Sequence, residues 1–151
     1  MKQKIFLLLI LCTGMAAYAQ NLSLNQVIEI QKQNVDNAKK VLLQNGWEFL
    51  DYNKSNFEST FGFHPDASGN AENYFTYKDD PARGVEVTIA ATTKAVYNEY
   101  KKFLSDNKFQ LIYSEPNGEN TERLYENATH SVRTLSSYSN DISYFIISKK
   151  K

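Results

Sequence analysis

Two thirteen-residue segments of the chain, 38–50 and 100–112, align with each other without a gap. Four of the thirteen positions are identical, and most of the others keep their apolar or polar class. The identical pairs are Lys39/Lys101, Lys40/Lys102, Leu42/Leu104 and Asn45/Asn107. The alternative is that the similarity arose without duplication. Cations favour the carboxyl end of a helix, so any two helices with a basic last turn and a following strand would look alike. A duplication would mean that the two halves of the chain have the same order of helices and strands. We predict internal repeats over residues 22–92 and 93–149.

Each segment is the end of a predicted helix. Ser23 and Gln26 fit a capping box, and apolar side chains then recur at steps of three and four residues. This stripe consists of Leu24, Val27, Ile28, Val35, Ala38, Val41 and Leu42. The pattern predicts one helix over residues 22–46, ended by Gly46, and a second helix over residues 94–106.

Aromatic and β-branched runs separated by turn residues predict strands after each helix. These runs are residues 47–52, 74–77, 85–89, 109–113, 123–125, 132–138 and 142–147, with 61–63 as a candidate edge strand. The residues expected to point into the core beneath the helices are Trp47, Phe49, Phe109 and Leu111. The sequence therefore predicts an α+β fold of tandem α-β-β-β(-β) units, with two helices packed on one face of a predominantly antiparallel sheet.

The first nineteen residues have the form of a secretory signal peptide. Lys2 and Lys4 precede an apolar run over residues 5–11, and Ala17-Tyr18-Ala19 offers the small-x-small pattern of a cleavage site. The apolar run is shorter than the roughly 20 residues that a membrane-spanning helix needs, which disfavours a retained anchor. We predict a signal peptide over residues 1–19, one α+β domain over residues 20–151, and export to the periplasm or the medium.

The exported protein is expected to begin at Gln20, and the intact mass of the secreted fraction measures this directly. Replacing Ala19 by arginine removes the small side chain that the peptidase accepts, so uncleaved precursor should accumulate. Ala19→Ser keeps a small side chain and should be processed normally. An exported protein that still carries Met1 would contradict the prediction.

Composition and motif spacing exclude several chemistries. Cleavage removes Cys12, the only cysteine, and leaves a net charge of −2, which disfavours thiol catalysis and a general nucleic-acid partner. His64 and His130 are the only histidines, and their spacing matches no metal motif, although the fold could still bring them together. The tripeptide His64-Pro65-Asp66 matches the J-domain motif but lacks flanking helical patterns, so we interpret it as a turn. We predict no catalytic residue, no metal, no cofactor and no stable membrane insertion.

Tyrosines in the predicted strands are the candidate binding residues. They are Tyr74, Tyr77, Tyr125, Tyr138 and Tyr144. A tyrosine combines a large rigid surface with one polar tip, which suits contacts to proteins, peptides or glycans. The alternative is the ordinary preference of tyrosine for strands. The basic run 149–151 is interpreted as a solvated tail, with weak attraction to an acidic surface as the alternative.

Three features carry a resemblance to known proteins: Ser23-Leu24 opening the first helix, Gly46-Trp47-Glu48-Phe49 closing it, and the second, tyrosine-rich helix-strand unit. Through them the chain resembles small exported proteins of Gram-negative bacteria that have no assigned function. In topology it also resembles the β-lactamase inhibitor proteins, which are secreted binders built from two such units. The resemblance implies an exported binding protein, and no contact residue is carried over from it.

The sequence thus favours an exported non-catalytic binding or interaction protein with an unknown protein, peptide or glycan partner. One alternative is a small hydrolase-type enzyme with a site assembled from distant residues, which would need His64 or His130 in a cleft beside a Ser, Asp or Glu. The other is a carrier of an apolar ligand, which would need an enclosed cavity between helices and sheet.

Overall fold

In the computed structural model, residues 22–150 are described, and they form three helices and eight strands. The predicted signal peptide and Cys12 lie outside the described residues. The helices are α1 (Leu24–Gln31), α2 (Val35–Gln44) and α3 (Lys94–Asp106). The strands are β1 (Trp47–Asn53), β2 (Glu58–Phe63), β3 (Asn73–Asp80), β4 (Gly84–Ala91), β5 (Gln110–Asn117), β6 (Asn120–Glu126), β7 (His130–Ser137) and β8 (Ser143–Lys149).

All eight strands belong to one sheet in the order β1-β2-β3-β4-β8-β7-β6-β5, and every neighbouring pair is antiparallel. The α+β class and the antiparallel sheet are confirmed. Each half of the chain contributes a four-stranded meander, and the halves meet where β4 pairs with β8. The halves therefore share one sheet and one core, whereas the duplication of the sequence stays a prediction.

The predicted helix over residues 22–46 is in fact two helices, so three helices rather than two cover the sheet. The capping box is present, because the amide of Gln26 donates to Ser23 Oγ over 3.3 Å and the amide of Ser23 donates to Gln26 Oε1 over 2.8 Å. The chain leaves α1 at Lys32, and Asn34 restarts it as the N-cap of α2 by accepting from the amide of Asn37 over 3.0 Å. The first amides of a new helix have no carbonyl partner within that helix, and the side chain of an N-cap asparagine accepts a hydrogen bond from one of them.

The ends of α2 and α3 share their local geometry. Asn45 and Asn107 are the C-caps, and each side-chain Nδ2 donates to the carbonyl four residues earlier, over 2.8 and 2.9 Å. The next residues, Gly46 and Lys108, both have left-handed φ angles, of 81° and 60°. Glycine adopts this conformation freely, whereas lysine does so at a cost in strain. The aligned segments thus end their helices in the same way.

The covered face of the sheet forms the core with the helices. Its largest fully buried side chains include Tyr77, Tyr100, Phe61, Phe75, Phe145, Ile89 and Ile147. Phe145 lies near the junction of the two halves, with its ring centroid 5.0 Å from that of Tyr100 and 6.0 Å from that of Tyr97. The predicted core residues Trp47 and Phe109 are buried, but Phe49 and Leu111 are 40% and 54% exposed.

The two exposed residues lie on edge strands, which explains their exposure. β1 and β5 form the sheet edges, and each carries a register shift, between Phe49 and Asp51 and between Leu111 and Tyr113. Such bulges bend an edge strand and disfavour pairing with another chain. The candidate edge strand over residues 61–63 instead belongs to β2, which pairs with both β1 and β3.

Candidate functional site

One face of the sheet carries no helix from residues 22–150, and strand register identifies its residues. Side chains alternate between faces along a strand, so the neighbours of buried Phe145 in sequence, Tyr144 and Ile146, point to the opposite face. Tyr144 pairs with Leu135 on β7 and with Ala90 on β4. We call this surface the open face.

Apolar and aromatic side chains occupy the middle of the open face. Tyr144 is 46% exposed, and its hydroxyl makes no hydrogen bond to the described residues. Leu135 and Ile146 beside it are half-buried. The cross-strand ladder continues from Ile146 through Arg133 to Leu124. The open face therefore has an amphipathic centre and not a uniformly polar surface.

Tyr74 also lies on the open face, but its hydroxyl holds a loop. Tyr74 Oη accepts from the amide of Ala71 over 2.9 Å and donates to the carbonyl of Gly69 over 3.4 Å. The loop packs against the sheet beside Gly62, where an added Cβ would lie 2.8 Å from the Cβ of Ala71. Tyr74 thus combines an exposed ring with a structural hydrogen bond.

Tyr77 and Tyr125 are buried on the covered face, so they do not contribute to an exposed binding surface. Tyr77 Oη donates to the carbonyl of Gln33 over 2.5 Å, at the junction between α1 and α2. Burial, with a smaller contribution from Asp79, raises the pKa of Tyr77 to about 12. The Nζ of Lys101 lies 4.1 Å from the ring centroid of Tyr125 and contacts its hydroxyl. Both tyrosines are core residues with satisfied polar tips.

Tyr138 is 64% exposed, but it lies in the turn between β7 and β8 and not on the open face. Its amide donates to the carbonyl of Glu119 over 3.1 Å. It lines a separate polar cleft of about 420 Å³ with Tyr97 of α3 and Arg123 of β6. The structure therefore separates the five predicted tyrosines among three environments.

Acidic residues surround the apolar centre of the open face. Eight acidic and two basic side chains of the strands point to this face by register. The acidic ones are Glu48, Asp51, Glu58, Asp80, Glu86, Glu115, Glu122 and Glu126, and the basic ones are Lys78 and Arg133. The open face is thus far more acidic than the chain as a whole.

One acidic residue belongs to a defined hydrogen-bond network. Glu122 accepts from the hydroxyl of Tyr113 over 2.6 Å and from Nδ2 of Asn117 over 2.7 Å. These two bonds, the first above all, hold the pKa of Glu122 below its usual value. The alternation of Glu122, Leu124 and Glu126 indicates from the sequence that these three side chains share one face of a strand. Only the strand register shows that this face is the open face.

The two histidines lie in different settings. His64 is exposed, with Nδ1 3.6 Å from Glu72 Oε1, and its ring lies 4.0 Å from that of Phe63. Asp66 accepts from the amides of Ser68 and Asn70, and so closes the turn that the His64-Pro65-Asp66 sequence predicts. His130 lines a cleft, but no carboxylate of residues 22–150 forms an ion pair with it.

Metal sites and membrane-spanning helices were also considered for the described residues. Within residues 22–150, no group of three or more His, Cys, Asp or Glu side chains is arranged to hold a metal ion. Among the same residues, no helix has both the length and the apolar character needed to cross a bilayer. A further small cleft lies between the start of α1 and α3.

Compared with known proteins, the chain matches no protein-family model, no curated protein and no solved structure. The candidate site therefore stands on the geometry of this chain alone.

Proposed function

We propose that this chain is an exported, non-catalytic binding protein whose open face receives a partner protein with a basic surface. The observation that carries the proposal is the combination on one uncovered sheet face of an exposed apolar and aromatic centre with an acidic surround. A sheet face that meets only solvent usually carries polar side chains, whereas here the exposed ring of Tyr144 lies beside Leu135 and Ile146.

The size of the open face suits a protein partner better than a small ligand. Eight strands spaced about 4.8 Å apart, with six to eight residues each, cover roughly 35 Å by 20 Å, or about 700 Å². A standard protein interface buries about 800 Å² on each partner. The open face is therefore close in size to one such interface.

The charge of the open face favours a partner with a basic surface. Six more acidic than basic side chains point from the strands to this face, so a basic surface would be attracted and an acidic one repelled. Tyr144 would act as the aromatic anchor, because it lies on a central strand of the sheet and its hydroxyl is available to a partner. The acidic rim would mainly accelerate association.

Replacing Tyr144 by alanine should weaken partner binding by about 30-fold or more, as expected for a central aromatic anchor worth at least 2 kcal/mol. Tyr138→Ala is the matched control, because Tyr138 is more exposed but lies off the open face. The exported protein, immobilised, is incubated with envelope extract, and the captured partner is identified and titrated against all three forms. Equal loss with both variants, or no loss with Tyr144→Ala, would contradict the proposal.

The acidic surround is tested separately through association rates. Glu48→Gln combined with Glu115→Gln should slow association of the captured partner and flatten its dependence on salt, with a smaller effect on dissociation. Asp36→Gln on α2 combined with Glu99→Gln on α3 removes the same charge from the helices and should leave both rates unchanged. A partner whose surface is acidic would contradict the charge argument.

A further inference from the structure

A basic cleft lies at the end of the sheet where α1 ends, away from the centre of the open face. Its volume is about 660 Å³, which lies within the range of roughly 300–1,000 Å³ of small-molecule sites. Four cationic side chains line it: Lys32, Arg83, Lys149 and Lys150. They come from the end of α1, the β3–β4 turn and the end of β8. The lysines at 149 and 150, interpreted from sequence as a solvated tail, thus form part of a cleft.

Two of these four cations form no direct ion pair with a carboxylate of residues 22–150. Lys32 Nζ lies 2.7 Å from Glu29 Oε1, and Lys150 Nζ lies 2.6 Å from Glu126 Oε2. Within residues 22–150, Arg83 and Lys149 form no ion pair. Direct ion pairs therefore involve only two of the four cations that line the cleft, although the charge of Arg83 also helps to lower the pKa of Asp80.

His130 forms a buried wall of the same cleft. His130 is only 7% exposed, and its Nδ1 lies 2.8 Å from Oγ1 of Thr129. Among the described residues, Nε2 has no hydrogen-bond partner. Burial lowers the pKa of His130, the charges of Lys32 and Lys149 lower it further, and Glu29 acts in the opposite direction. The imidazole thus experiences a net positive field from the side chains around it.

We propose that this cleft binds a small phosphate-bearing molecule, with Arg83 and Lys149 as its principal ligands. The planar guanidinium of Arg83 can donate two parallel hydrogen bonds to a phosphate, and the ammonium of Lys149 supplies a compact charge. Lys32 and Lys150 lie close enough to line the same space and can share their charge with the ligand. The volume leaves room for a carbon skeleton beside the phosphate. This inference is independent of the proposed partner on the open face.

The test uses fructose 1,6-bisphosphate as the probe, titrated into the exported protein by calorimetry and followed by NMR. Binding should be saturable with one site, and the pKa of His130 should rise because a bound phosphate offsets the positive charges of Lys32 and Lys149. Arg83→Gln and Lys149→Gln should each weaken binding about tenfold, the loss expected for one charge-assisted hydrogen bond. Lys40→Gln, on the exposed surface of α2, removes the same charge elsewhere and should leave the affinity unchanged.

A second arm distinguishes a free phosphorylated molecule from a lipid headgroup. Vesicles of phosphatidylglycerol are compared with vesicles of phosphatidylcholine in a sedimentation assay. Binding to the anionic vesicles alone, lost in Arg83→Gln but kept in Lys40→Gln, would assign the phosphate to a headgroup and support the proposal. Failure of both probes, or equal weakening by Lys40→Gln and Arg83→Gln, would overturn it.

Discussion

Replacing Phe145 by alanine is expected to lower the free energy of unfolding by about 3–5 kcal/mol, the usual cost of truncating a buried phenylalanine. Phe145 is fully buried, and its ring packs edge-on against Tyr100 and beside Tyr97. Its strand, β8, joins the two halves of the sheet through β4. Truncation therefore leaves a cavity where both halves and α3 meet. Because small domains are stable by about 5–15 kcal/mol in total, this single change should remove a large part of the stability.

Tyr144→Ala provides the matched control, because the adjacent residue points to the open face. Its loss should cost less than about 1 kcal/mol, as is usual for exposed positions that lie outside the core. Urea unfolding, monitored by circular dichroism, measures both variants against the unchanged protein. Equal destabilisation by the two substitutions would show that the assignment of faces along β8 is wrong.

Features encoded by neighbouring residues could be predicted from the sequence. The capping box at Ser23, the helix end at Gly46 and the strands over residues 74–77 and 85–89 each depend on residues within a few positions of one another. The break after Lys32 could not, because the apolar spacing continues across it. That break is stabilised by Tyr77 Oη, a group far away in the chain, which donates to the carbonyl of Gln33.

The candidate site was less predictable because it depends on strand register. A shift of one residue moves a side chain from one sheet face to the other, so Tyr77 and Tyr144 were indistinguishable as strand tyrosines. The register places the first in the core and the second on the open face. The basic cleft has no local signal at all, since Lys32, Arg83 and Lys149 come from segments about 50 residues apart or more.

The second large effect concerns stability at alkaline pH, through the buried tyrosines Tyr77 and Tyr100. Burial raises the pKa of Tyr77 to about 12, and burial followed by the charge of Glu99 raises the pKa of Tyr100. In the unfolded chain both phenols ionise near pH 10. Their contribution to stability is therefore complete below pH 10 and is lost as the pH rises above it, because only the unfolded state then releases its protons. Each tyrosine should lower the free energy of unfolding by about 1.4 kcal/mol per pH unit in this range.

Together the two tyrosines should cost on the order of 4 kcal/mol between pH 10 and pH 12, a large part of the stability of an ordinary domain. Urea unfolding at half-unit steps from pH 8 to pH 12 measures the slope. The double variant Tyr77→Phe and Tyr100→Phe loses the hydrogen bonds to the carbonyls of Gln33 and Leu22, so it should be less stable at pH 8 but much less sensitive to pH above 10. Lys102→Gln removes an exposed ion pair to Asp106 and tests whether lysine deprotonation contributes. A slope that persists in the double variant but falls in Lys102→Gln would assign alkaline unfolding to surface ion pairs instead of the buried phenols.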